Sequence, residues 1–355
     1  MKYCKSNINI DIDLSFKFLS DNCSPACDAV LQSILDANTG ISAPYGDDYW
    51  SKESFKFFDE VFETKCDVFF VLNGVSANSL SLATVAQPFE AVLCNEYSHI
   101  YNDECSAPQF FSNGLTLIPV PGENGKLTPD AIFEYTTRRN DKHFPKIKAI
   151  SITQPNELGL VYTVNELQEI YEVSRKLGLK IHMDGSRFAN AVAFLNIKPK
   201  YLSWANGVDV MTFGGVKNGG FIGDAIVFFN KNISTDFLYR QKQSGQLIPK
   251  SRYIAAAWIG LLKNDIWLSN AKKANRSTKT LEILLKENKV FPIFPCETNS
   301  LFLEKGLFNV SNNFFWRYYQ WLKFGTMRFV CSWDTEDDEV KQLSIDIITK
   351  IGQKI

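Results

Sequence analysis

Between residues 147 and 184 the chain carries a complete strand–helix–strand signal, and this one stretch fixes most of what the molecule can fold into. Ile147-Lys-Ala-Ile-Ser-Ile-Thr153 is rich in β-branched residues, and Leu179-Lys-Ile-His-Met-Asp184 reads as a second strand. Between them Thr163 and Glu166 stand at capping-box spacing, while Leu167, Ile170, Ser174 and Leu177 share one helical face. Gly178 falls where a left-handed C-terminal cap belongs. Two strands joined through a helix of this length form a crossover, so they run parallel and the class is α/β.

Five further runs read as strands: Asp67 to Leu72, Ala91 to Cys94, Leu115 to Val120, Gly207 to Phe213 and Asp224 to Phe229. The expected architecture is a mostly parallel sheet of about seven strands with helices on both faces. From about Asn264 the texture turns to charged helical segments, with Met327 to Val330 as a short strand of a smaller α+β unit. The expected division is an N-terminal extension (1–15), a large domain (16–263) and a small C-terminal domain (264–355). Ligands of such sheets gather beyond the carboxyl ends of the strands, which directs attention to residues 73–78, 96–99, 154, 184–187 and 214–220.

Composition excludes several classes. With 38 basic and 39 acidic side chains the formal net charge is −1, which offers no field for nucleic acid or an anionic membrane surface. Asp11 and Asp13 stand where a secretory apolar core would be, and no later run approaches a membrane span, so a cytoplasmic protein is expected. The eight cysteines are scattered without CxxC pairing and are expected to be reduced thiols; Cys23 and Cys27 have one-turn spacing but no second ligand pair follows, so no metal site is expected.

Lys217 follows an apolar strand inside Phe-Gly-Gly-Val-Lys-Asn-Gly-Gly. A nucleotide phosphate loop needs Ser or Thr directly after the lysine, and Asn218 breaks that pattern. The residues leave two readings open: a glycine-rich turn with a solvated lysine, or a partly desolvated amine able to condense with an aldehyde cofactor. Asp184, in His182-Met-Asp-Gly-Ser-Arg187, ends the preceding strand. Its carboxylate could keep a pyridine nitrogen protonated and Arg187 could fork onto a carboxylate, or the two could be an ion pair capping a loop.

These motifs carry a resemblance. The chain resembles the low-specificity L-threonine aldolases, a branch of the aspartate-aminotransferase-like (fold type I) enzymes dependent on pyridoxal 5'-phosphate (PLP). The likeness runs nearly end to end: SDN at 20–22, APYGDD at 43–48, NGVSAN at 73–78, SHIYNDE at 98–104, PVPGENGKLTP at 119–129, TQPNELGLVY at 153–162, HMDGSRFANA at 182–191, FGGVKNG at 213–219 and MRFVCS at 327–332.

The resemblance implies that Lys217 bears PLP as a Schiff base, that Asp184 pairs with the pyridine nitrogen and that His99 stacks on the ring. It implies a phosphate site at Gly74, Val75 and Ser76, with Arg187 beside the cofactor. Ser20, Arg187 and Arg328 would bind the substrate carboxylate. Tyr45 would reach the neighbouring subunit's active site, and Lys250, on a looser match, the neighbour's phosphate; a homo-oligomer, dimer or homotetramer, is implied. The implied reaction is retro-aldol cleavage of a β-hydroxy-α-amino acid to glycine and an aldehyde, with His99 or a water it positions as base. Two departures stand out: Val75 where many members carry a hydroxyl, and Gln154 where many carry a histidine, which leaves the proton acceptor open. Other PLP reactions on the same fold, namely β-elimination, racemisation and transamination, share these cofactor residues, and a non-catalytic binding protein is a more distant reading. His143 reads as a surface loop residue and His182 as one that stands behind Asp184.

Overall fold

The computed structural model describes residues 12–307, 314–321 and 325–352. Cys4 and most of the expected N-terminal extension lie outside the described residues. Seven strands form the main sheet: β1 (Asp67–Val71), β2 (Glu90–Asn95), β3 (Thr116–Val120), β4 (Lys146–Thr153), β5 (Lys180–Gly185), β6 (Val210–Phe213) and β7 (Asp224–Phe228). Their order is β1-β7-β6-β5-β4-β2-β3, with β7 antiparallel to both of its neighbours and every other pairing parallel. The exception follows from chain length, because the glycine turn joining β6 to β7 is too short for a crossover helix.

The crossover helix Val164–Leu177 forms as its sequence dictates, with a reciprocal capping box between Thr163 and Glu166 and Gly178 left-handed at φ 67°. One expected boundary moves. The strand expected from Gly207 begins at Val210, because Gly207 at φ 79° closes a tight turn against the ring of Tyr171, where a Cβ would sit 1.9 Å from the ring. Side-chain alternation divides the sheet's two faces between two cores. Leu93, Ile150, Ile152, Met183 and Phe213 face one, together with Phe58 and Trp258. Val92, Cys94, Ala149, Ile226 and Phe228 face the other, covered by the helix Gly74–Val85, which is buried along nearly its whole length.

A second sheet, order β8-β10-β9, is antiparallel and built from β8 (Ser300–Glu304), β9 (Tyr319–Trp321) and β10 (Thr326–Val330). Leu301, Leu303, Met327 and Phe329 pack there against Leu281 and Leu285 of the long helix Ile266–Glu287 and Val340, Leu343 and Ile347 of the last helix, Asp337–Gly352. Phe18 joins this core, and its carbonyl accepts the Val330 amide at 2.9 Å. The N-terminal segment thereby delivers the residues that follow it, 20 and 21, to the junction between the two sheets. No helix among the described residues is long and apolar enough to cross a membrane.

Candidate active site

The carboxyl ends of β2, β4, β5 and β6 open onto a cavity of about 530 Å³ lined by His99, Glu157, Asp184, Arg187, Lys217 and, from β10, Arg328. Two glycines let the strand ends close on it. A Cβ at Gly214 would lie 2.3 Å from the Ser186 carbonyl oxygen, and one at Gly185 would lie 2.6 Å from that of Thr212. Only residues without a Cβ permit this approach. The turn bearing Lys217 is fastened by Asp224, whose Oδ1 accepts the Gly215 amide at 2.9 Å.

Lys217 is half-buried and has no ion pair among the described residues. Burial and then the Arg187 charge push its amine below the ordinary lysine range, against the pull of Asp21, Asp184 and Asp224. A lysine so placed has more of its neutral, nucleophilic form. Asp184 lies on the other side of the balance. Burial disfavours its charge, but His99, the Ser186 donors and Lys217 together hold the carboxyl below the usual carboxylate range. Its Oδ1 accepts the Ser186 amide (3.0 Å) and hydroxyl (2.6 Å), and its Oδ2 accepts Asn78 Nδ2 at 2.9 Å.

That asparagine also donates to Glu104 Oε1 at 2.8 Å, which lies 2.9 Å from His99 Nδ1. His99, Glu104, Asn78 and Asp184 thus form one network, buried except for the His99 ring. Burial works against the imidazolium, but the Glu104 hydrogen bond and the Asp184 charge leave His99 with a raised pKa. Burial likewise raises Glu104. With Nδ1 occupied, His99 keeps Nε2 as its remaining ring nitrogen.

The two arginines differ in their partners. Arg187 Nε and Nη2 fork onto both oxygens of Asp21 at 2.7 and 2.8 Å, and Asp21 also accepts Asn299 Nδ2 at 3.0 Å. Asn299 donates in turn to the Cys331 carbonyl at 2.9 Å, so this buried carboxylate joins the two sheets. Arg328 lies 4.7 Å over the ring of Tyr319, and its buried Nε has no hydrogen-bond partner among the described residues. Burial and then Arg187 lower its pKa to about 10. A guanidinium on a cavity wall with a buried N–H left over is a site prepared for an anion. Removing Asp21's charge should be costly: Asp21→Asn is expected to lower unfolding stability in urea by about 3 kcal/mol, the lower end for breaking a buried pair, because Arg187 keeps an edge on the cavity.

The other expected residues lie apart from this group. Gly74, Val75 and Ser76 open the helix Gly74–Val85; Asn73 Oδ1 already accepts the Ser76 amide at 2.9 Å, leaving the Gly74 and Val75 amides at that end. A Cβ on Gly74 would lie 3.8 Å from Ser186 Oγ, so this helix end adjoins the Asp184 side of the cavity. Ser20 accepts the Asn22 amide as a cap at 3.2 Å and is not among the cavity's lining residues. Tyr45 is 44% exposed, left-handed at φ 61°, and borders a separate cavity of about 330 Å³ with Phe55 and Leu238. Lys250 is exposed near it. Gln154 is fully buried and holds both amide and carbonyl of Tyr162 at 2.9 Å, so it faces away from the chemistry. His182 sits inside the sheet with Nδ1 2.8 Å from Ser151 Oγ, its pKa lowered to about 4 by burial. His143 is exposed, and the seven described cysteines are free.

Asp21, Asn78, Glu104 and Glu157 were not singled out from sequence, although each lies inside a motif quoted above. Their partners stand up to 278 positions away, as between Asp21 and Asn299, and spacing carries no trace of such a pairing.

A sheet of this order with a lysine and an acid beyond adjacent strand ends has the architecture of fold-type-I PLP-dependent enzymes. The chain belongs to the beta-eliminating lyase family, whose model matches residues 17–304, and it is therefore a lyase. Within that class it is 44% identical over 343 residues to the low specificity L-threonine aldolase of Pseudomonas aeruginosa, covering 96% of this chain and 99% of that one. Its fold matches the solved threonine aldolase of Leishmania major with a TM-score of 0.88 at 24% identity, over 95% of this chain and 99% of that structure. A PLP-bound Clostridium difficile protein described as an aminotransferase shares the fold more loosely, with a TM-score of 0.70 at 14% identity over 96% and 92% of the two chains.

Proposed function

We propose that this chain cleaves L-threonine, L-allo-threonine and related β-hydroxy-α-amino acids to glycine and an aldehyde, using PLP held on Lys217. The observation that carries the reading is the convergence of the Lys217 amine, the buried Asp184 carboxylate and the Arg328 guanidinium, whose Nε has no hydrogen-bond partner among the described residues, on one cavity. These groups fit the cofactor's chemistry: an amine for an aldehyde, an acid for a pyridine nitrogen, and a cation for the substrate's carboxylate. PLP, when bound, supplies the electron sink that makes breaking a bond to Cα accessible.

The chain's own residues do the rest. Asp184 holds a proton at the ring nitrogen, and the Asn78 and Ser186 donors keep that carboxylate oriented. His99, tethered through Nδ1, would lie against the ring face. Gly74, Val75 and Ser76 bring a helix N-terminus to the phosphate. Arg328, with the remaining edge of Arg187, holds the substrate carboxylate and so selects which bond at Cα stands ready to break. Ser20, whose hydroxyl donates to Asp21 at 3.4 Å, is placed to reach that carboxylate only from behind Arg187's partner. Tyr45 and Lys250 serve a neighbouring subunit in a dimer or homotetramer, consistent with their distance from this chain's own cavity. The enzyme works in the cytoplasm.

Incubation with threonine, allo-threonine or phenylserine is expected to release equal amounts of aldehyde and glycine. Ammonia with a keto acid would instead identify β-elimination and overturn the aldolase reading while leaving the cofactor in place.

A further inference from the structure

Retro-aldol cleavage moves one proton off the β-hydroxyl and one onto Cα, so a group must stand in the cavity that can hold a proton between those events. Several candidates are already committed. Lys217 carries the cofactor and Asp184 is bound by Asn78 and Ser186. His99 has its Nδ1 tied to Glu104 and, in the reading above, its ring set against the cofactor, so that only Nε2 is left to it; Gln154 cannot titrate and faces Tyr162, and Asp103 is exposed at the rim.

Glu157 is different. It lines the cavity from the segment after β4, and among the described residues no cation lies within ion-pair distance of it. Its Oε1 accepts the His99 backbone amide at 2.7 Å and the Thr153 hydroxyl at 3.1 Å. Among the described residues no side chain donates to Oε2, which leaves that oxygen for an added proton. We propose that Glu157 is a catalytic residue of the reaction proposed above, on which this inference rests, taking the β-hydroxyl proton on Oε2 and returning it to Cα.

The step balances. As the Glu157 carboxylate accepts the hydroxyl proton, the Cα–Cβ bond breaks, Cβ leaves as the aldehyde carbonyl and the bonding pair stays on the Cα side. The same carboxyl then gives its proton to Cα, which completes glycine and restores the carboxylate. No outside acid, base or oxidant is consumed.

The environment suits the role. Burial, and then the Asp184 charge, raise the Glu157 pKa to about 7, while the His99 amide and the Thr153 hydroxyl pull the other way. The other titratable groups that feel its charge are the Arg187 guanidinium, the Cys94 thiol and the Tyr162 phenol. Burial raises the thiol to about 12 and the phenol further still, so neither titrates near neutrality.

Glu157→Gln keeps the Oε1 acceptor and removes the titrating group. The purified variant is expected to retain its bound cofactor and a KM within about threefold, but to lose kcat for threonine by on the order of 10²–10⁴-fold, together with the acid limb of the kcat profile. A second readout needs no turnover. A carboxyl whose folded pKa lies above its unfolded value favours the fold at low pH and loses that contribution as pH rises through the folded value. Wild type should therefore lose stability relative to Glu157→Gln between about pH 5 and about pH 8. Thr153→Val, which removes a donor to the charged form, should move the acid limb upward. A Glu157→Gln enzyme with wild-type kcat and pH profile, or the same pH dependence of stability as wild type, would overturn the assignment. Wild-type protein that forms no aldehyde at all overturns the retro-aldol reading itself, and a wild-type stability difference in that case marks the failure as one of reaction rather than of Glu157's titration.

Discussion

Lys217→Ala is expected to abolish the visible absorbance of the bound cofactor and to lower threonine cleavage by on the order of 10⁴-fold or more, the scale on which loss of a covalent nucleophile is felt. Misfolding is not the expected cause. The lysine's ammonium form is disfavoured where it stands, first by burial and then by Arg187, so the side chain costs stability at neutral pH. Compared without cofactor, its removal should leave unfolding stability unchanged or raised, which is the signature of a residue kept for chemistry. The sign follows from linkage: a lysine whose folded pKa lies below its unfolded value destabilises the fold until pH rises past that unfolded value. Absorbance and turnover of the loaded proteins and urea unfolding of the cofactor-free ones check all three parts, and a variant that kept the absorbance would contradict the assignment.

The second large effect belongs to Asp184. Asp184→Asn removes the charge that would keep the ring nitrogen protonated, and it places an amide where Ser186 and Asn78 both donate. Turnover is expected to fall on the order of 10²–10³-fold, the scale of removing one preorganised electrostatic contact. Cofactor affinity should fall with it, because the buried donors lose a charged acceptor. His99 would report the change independently. The Asp184 charge helps hold its imidazolium, so the His99 pKa should drop in Asp184→Asn, which ring-proton NMR would show. Unchanged turnover and an unmoved His99 would mean that Asp184 does not face the reacting centre.

Much of the architecture was legible because local signals agreed with one another. The capping box at Thr163 and Glu166 and the glycine at 178 define the crossover helix to the residue, and all seven strand candidates of the main sheet form. The direction of β7 is a matter of how few residues separate it from β6, and the late start of β6 comes from a packing contact between Gly207 and Tyr171 that no local pattern encodes. In the site, Lys217 and Asp184 were visible because the sheet carries strand ends to one edge. The groups around them were not. Asn78 acts on Asp184 across 106 positions, and Arg187 meets Asp21 across 166. Gln154 draws attention as the departure from a histidine, yet it is turned onto Tyr162, and the carboxyl that lines the cavity is Glu157, three residues later.

Borohydride reduction of the purified, coloured protein followed by peptide mass mapping tests the central assignment most directly, because it fixes the cofactor to whichever amine bears it. The expected result is a single modified peptide with the pyridoxyl group on Lys217, absent from Lys217→Ala. Modification at another lysine, or protein that takes up no PLP to reduce, would contradict the account.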